Sequence, residues 1–127
     1  MKTRTVPALA HDALMLARYN VKVTPAGKLE RRIVWNLLGH LRDAGFPVAS
    51  VDDGDDDTAV TSDKAAMELV FNLDDCHVFF HDGAGGFHWV RLIGGNGIDM
   101  VGDWGCPADP ADPWNAAMDA FDGENYA

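Results

Sequence analysis

Cysteine is scarce in this chain, with Cys76 and Cys106 the two thiols among 127 residues. Two thiols do not make a disulfide framework, and a reducing cytosol would keep both as free thiols. Basic residues are scarce too: 10 Lys and Arg stand against 20 Asp and Glu, for a formal charge of -10 at pH 7. That balance argues against a sequence-independent nucleic-acid binder, because phosphates are met mostly by basic groups, and no direct DNA binding is expected. Long apolar runs are missing, and none approaches the ~18 residues of a membrane span. The start, Met1-Lys2-Thr3-Arg4, lacks the continuous apolar stretch of a signal peptide, so the chain is expected in the cytoplasm and away from membranes. Internal repeats are absent as well.

What is present is ordinary globular material. The chain is 47% hydrophobic and 24% charged, a composition that excludes disorder throughout and fits a single domain over residues 1–127. Its charge is lopsided. Residues 1–50 hold eight basic side chains against three acids, whereas residues 51–127 hold seventeen acids against Lys64 and Arg91. Such polarity bears on partners rather than on fold.

The expected architecture is α+β, with an antiparallel sheet of three to four strands packed against a long N-terminal helix and shorter helices. Ala8 to Tyr19 reads as a short helix and Val21 to Val23 as an extended piece. Thr24-Pro25 opens the longest helix, and Gly45 with Pro47 closes it after Ala44. Leu29, Ile33, Val34, Leu37, Leu38, Leu41 and Ala44 make its apolar face. Lys28, Arg31, Arg32, Trp35 and Arg42 gather on the opposite, basic one. Val48 to Val51 reads as a strand entering an aspartate-rich turn or loop. Thr61 or Ser62 caps a helix through about Asn72. Cys76 to His81, Phe87 to Ile93 and Ile98 to Asp103 read as strands, joined by Gly83-Ala84-Gly85-Gly86 and by Gly95-Asn96-Gly97. Asp112-Pro113 caps a last helix through Phe121, and one of the tryptophans near the C-terminus is expected to seal the core.

Taking Gly83–Gly86 as the loop sets His81 opposite His88. Val78, Phe80, Phe87, Trp89, Ile93, Ile98 and Met100 then share the core face. His77, Phe79, His81, His88, Val90, Leu92, Asp99, Val101 and Asp103 share the other. On that second face His81, His88 and Asp103 could converge as three N/O ligands, whereas His77 and His81 lie about 13 Å apart at ~3.3 Å per residue.

Gly86-Phe87-His88-Trp89-Val90 through Asp103 resembles the closing hairpin of papain-like and bacteriocin-processing cysteine peptidases. That resemblance implies His88 and Asp103 as the family's His and Asp. The family's nucleophile opens an N-terminal helix, and here positions 1–75 hold no cysteine, so no catalytic residue is assigned. The glycine-rich stretch opens no helix and makes no phosphate cradle. Asp52, Asp53, Asp55, Asp56 and Asp57 fail the EF-hand pattern, since no start within the run puts Gly at position six and Glu at position twelve. No cofactor is expected, and no metal beyond the His81, His88 and Asp103 alternative.

Over most of its length the chain resembles small uncharacterised proteins of proteobacterial genomes and their phages or plasmids. Glu30 to Asn36, Ala66 to Leu73, and His88-Trp89-Val90 to Asp103-Trp104 carry the likeness. The resemblance implies no activity of its own. By analogy with small acidic mobile-element proteins, the expected function is a non-catalytic acidic protein that binds a basic protein surface. An anti-CRISPR-like inhibitor of a nucleic-acid-binding defence complex, or an immunity-type inhibitor, would fit that description. Asp52, Asp53, Asp55, Asp56 and Asp57 are its candidate contact surface, and the Lys28, Arg31, Arg32, Trp35 and Arg42 face is the alternative one. A small metal-binding protein or hydrolase using His81, His88 and Asp103 is the competing reading.

Overall fold

The computed structural model describes residues 25–81, 88–105 and 107–124. The helix expected at 8–19, the extended piece at 21–23, the loop at 83–86 and Cys106 lie outside these residues.

The first described helix, α1 (Pro25–Asp43), is followed by strands β1 (Val48–Asp52) and β2 (Asp57–Ala59) and by helix α2 (Asp63–Val70). Strands β3 (Asp75–Phe80) and β4 (His88–Ile93), a 3₁₀ turn at Gly97–Asp99, strand β5 (Val101–Trp104) and helix α3 (Pro113–Glu124) complete the order. The five strands form one antiparallel sheet in the order β2-β1-β3-β4-β5. The α+β architecture is the expected one, with β2 added beyond the anticipated strands.

Local chemistry sets the helix ends. Gly45 at φ 100 takes the left-handed conformation that stops α1, and the Phe46 amide donates back to the Leu41 carbonyl at 2.8 Å. Ser62 Oγ accepts from the Ala65 amide at 3.1 Å and starts α2. Asp112 Oδ1 does the same for the Trp114 amide at 2.9 Å, at the start of α3.

The three described helices pack on one side of the sheet. Ile33, Val34, Leu37, Leu38 and Leu41 of α1, Ala66, Met67 and Val70 of α2, and Trp114, Met118 and Phe121 of α3 join one core with Val51, Val78, Phe80, Val90 and Leu92. At its centre Trp114 is fully buried, within 5.2 Å of Phe46 and 5.4 Å of Phe80 between ring centroids. Its indole N–H donates to the Gly105 carbonyl at 2.7 Å, so the one polar atom of that ring is satisfied.

The register of β3 on β4 differs from the expected one by one residue. Phe80, not His81, pairs with His88, and Phe79 pairs with Trp89. Because side chains alternate, this single step exchanges the faces of β4. His88, Val90 and Leu92 point into the core, while Trp89 and Ile93 lie half-buried on the other side. Ile98, also expected inside, sits in the 3₁₀ turn and is 54% exposed, whereas Met100 is buried as expected.

Candidate functional site

The aspartate run is a tight hairpin rather than a loose loop. Asp52 ends β1 and pairs with Asp57, which begins β2. Between them, Asp52 Oδ1 accepts the Gly54 amide at 2.8 Å. Asp53 Oδ1 accepts two amides, from Asp55 at 2.8 Å and from Asp56 at 2.7 Å. The Asp53 amide in turn donates to the Asp56 carbonyl at 3.0 Å. The amides of Asp56 and Asp55 hold the Asp53 carboxyl below the usual carboxylate range, so it keeps its charge at a lower pH than an ordinary aspartate. Asp53, Asp55, Asp56 and Asp57 are exposed and Asp52 is half-buried. One turn thus holds five carboxylates at the edge of the sheet.

The hairpin continues into a row of ionisable residues that runs across every strand. Asp57 pairs with Asp52, Asp52 with His77, His77 with Arg91, and Arg91 with Asp103. All five stand on the side of the sheet away from the helices. Arg91 is tied to Asp75 by two hydrogen bonds, Nε to Oδ1 at 3.0 Å and Nη2 to Oδ2 at 2.6 Å. Those bonds hold the Asp75 carboxyl below its ordinary range and push the Arg91 guanidinium higher still. A shallow cleft of about 230 Å³ lies here, lined by Asp52, Asp53, Gly54, Asp75, Cys76, His77 and Arg91. Nothing in the linear sequence marks Asp75 and Arg91 as partners; they meet only through the strand register.

The alternative basic face is broken up. Arg31 is buried, its guanidinium 5.1 Å from the centre of the Phe71 ring and bonded to the Gly27 carbonyl. Trp35 packs against the core. Arg42 reaches the buried Asp63 at 3.0 Å, joining α1 to α2. Lys28 is exposed and Arg32 half-buried, so the five residues do not form one open patch. The acidic Glu30, on the same helix, is buried and accepts the Gly97 amide at 2.6 Å.

His81, His88 and Asp103 do not converge, which corrects the expectation of a shared ligand set. His88 is 5% exposed on the core face, 4.9 Å from the Trp114 ring and 5.3 Å from Phe46. Asp103 is exposed on the opposite face, and His81 is exposed just beyond β3. The Asp112 carboxylate lies 3.6 Å from His88 Nε2. Among the described residues no three His, Cys, Asp or Glu side chains are grouped to hold a metal ion. The His88–Asp103 pairing implied by the peptidase-like hairpin is likewise not formed. Burial pushes the Cys76 thiol up to about 12, leaving it protonated and unreactive near neutral pH.

No protein-family model, curated protein or solved structure matches this chain. Among the described residues no helix is long and apolar enough to cross a membrane.

Proposed function

We propose that this chain is a non-catalytic interaction protein that binds a basic surface on another protein through the acidic hairpin of β1 and β2. The observation that carries the reading is the hairpin itself. The backbone amides of a tight turn set the carboxylates of Asp52 and Asp53, so those two have little side-chain freedom left to lose when a partner arrives, and the turn places Asp55, Asp56 and Asp57 beside them. A dense cluster of negative charge attracts surfaces built for phosphate, and the partner class that fits best is a nucleic-acid-binding protein. An inhibitor that occupies such a surface, of the anti-CRISPR-like or immunity type carried by phages and other mobile elements, has these properties.

The test replaces Asp52, Asp53, Asp55, Asp56 and Asp57 together by Asn, which removes charge and keeps side-chain size. Wild type and variant serve as baits on a nuclease-treated proteobacterial lysate. Wild type is expected to retain nucleic-acid-binding proteins that elute as salt rises past ~0.15 M, where the Debye length falls below about 8 Å. The variant is expected to lose them while keeping its fold. Equal, salt-insensitive capture by both would remove the hairpin from the interface.

A further inference from the structure

The helix-covered face of the sheet is filled by the core, but the opposite face is not covered by any described helix. That second face has an ordered centre. Trp89 lies over Gly105 so closely that a Cβ there would stand 3.0 Å from the indole nitrogen. Its ring meets His77 edge-on, with centroids 5.2 Å apart. Ile93 lies over Gly102 in the same way, where a Cβ would fall 2.5 Å from its Cδ1. These contacts hold Trp89 and Ile93 half-buried in fixed positions without making them part of the core. Around them stand Asp52, Asp57, Asp75 and Asp103, with Arg91 the one Lys or Arg side chain on this face among the described strands. Arg91 is already neutralised by Asp75.

We infer that this whole face, not the hairpin alone, is the docking surface, and that its occupant is a protein segment carrying arginine beside an apolar side chain. The inference rests on the proposed function and names the partner's chemistry. Trp89 is flanked by Phe79 and Gly105 and bordered by the ionisable row through His77, Arg91 and Asp103. A half-buried tryptophan so placed has the anatomy of an interface hot spot, where an anchored aromatic supplies the binding and the charged border supplies selection. The tryptophan face attracts a guanidinium, and Asp103 and Asp52 offer it carboxylates on either side of Arg91. Charge also selects against other occupants. A second copy would bring the same negative face, and nucleic acid or an anionic membrane would meet repulsion.

The experiment uses the full-length, isotopically labelled chain and two synthetic peptides, one repeating Arg-Leu-Thr and a control repeating Glu-Leu-Thr. The Arg-Leu-Thr peptide is expected to shift the Trp89 indole N–H and the amides of His77 and Arg91, and the control to shift nothing. Trp89→Ala should weaken binding by ~tenfold or more. Asp103→Lys, at an exposed position, should do likewise and guards against a folding defect in the first variant. Shifts confined to Asp53–Asp57, with both variants silent, would overturn the inference while leaving the hairpin reading intact. Loss of binding in these variants but not in the five-Asn variant, which also neutralises Asp52 and Asp57 of this face, would overturn the whole-face inference and confine the surface to the end that holds Trp89 and Asp103. No response to the arginine peptide overturns the inference, as do shifts that depend on chain concentration alone. Contacts from Trp89 to residues 1–24, which carry Lys2, Arg4, Arg18 and Lys22, would also overturn it, since the chain would then fill its own face.

Discussion

Trp114 and Trp89 illustrate how differently one residue type can serve two faces of a sheet. Trp114 contacts Phe46, Phe80 and His88 and satisfies the Gly105 carbonyl, all without exposure. Trp114→Ala is therefore expected to cost roughly 3–5 kcal/mol, the range for truncating a buried aromatic. Trp89→Ala removes a half-buried ring outside the core and is expected to cost less than about 2 kcal/mol. Urea melts of the two variants check the pair, and a reversed order would mean the faces of β4 are exchanged. That assignment was open to inspection in the sequence at Arg91. Any register that buries Trp89 and Ile93 must bury Arg91 between them, because alternate residues share a face. An arginine there has no reason to enter the core, whereas Val90 and Leu92 do. His88 misled in the opposite direction, since a histidine suggests an exposed or reactive position and here it packs between two aromatic rings.

Elements whose ends are written locally were legible. Pro25, Gly45 with Pro47, Ser62 and Asp112 each act within a few residues of where they stand, and α1, α2 and α3 start or stop as those signals dictate. Strand β2 was not legible. Asp57-Thr58-Ala59 has no apolar alternation, all three residues are exposed, and only pairing with β1 makes them a strand. The candidate surface was half legible for the same reason. The aspartates are contiguous in sequence, but the row from Asp57 to Asp103 exists only once five strands are in register. The hairpin carries a prediction in acid. Asp53 has a folded pKa below its unfolded value, so its contribution is complete above the unfolded value and is lost as pH falls through the folded one. Asp75 behaves likewise because of Arg91. A carboxyl-detected NMR titration from about pH 5 downward should find these two protonating below the ordinary Asp value of ~3.9. The amides of Asp55 and Asp56 should move together with Asp53. Titration of Asp53 at the ordinary value would mean that its two amide bonds are not formed in solution.

The molecule as a whole carries ten more acids than bases. Much of its acidic charge lies where carboxylates have carboxylates for neighbours, as at Asp52 and Asp57. Screening should therefore relieve the folded state. Raising NaCl from ~10 mM to ~0.15 M shortens the Debye length from about 30 to about 8 Å and is expected to raise the melting temperature by a few degrees. A falling melting temperature would mean that attractive pairs such as Arg42–Asp63 and Arg91–Asp75 outweigh the repulsion. Strand β2 carries one further consequence. The outer rim of any open sheet offers unpaired amides and carbonyls that can template another strand, which is how fibrils begin. Here that rim is three residues long, fully exposed, and preceded by four aspartates in the turn and the strand end. An incoming strand would find almost no length to zip along and a like charge at every approach. The aspartates thus guard the β2 edge against joining another sheet when the chain is concentrated, whatever else they bind.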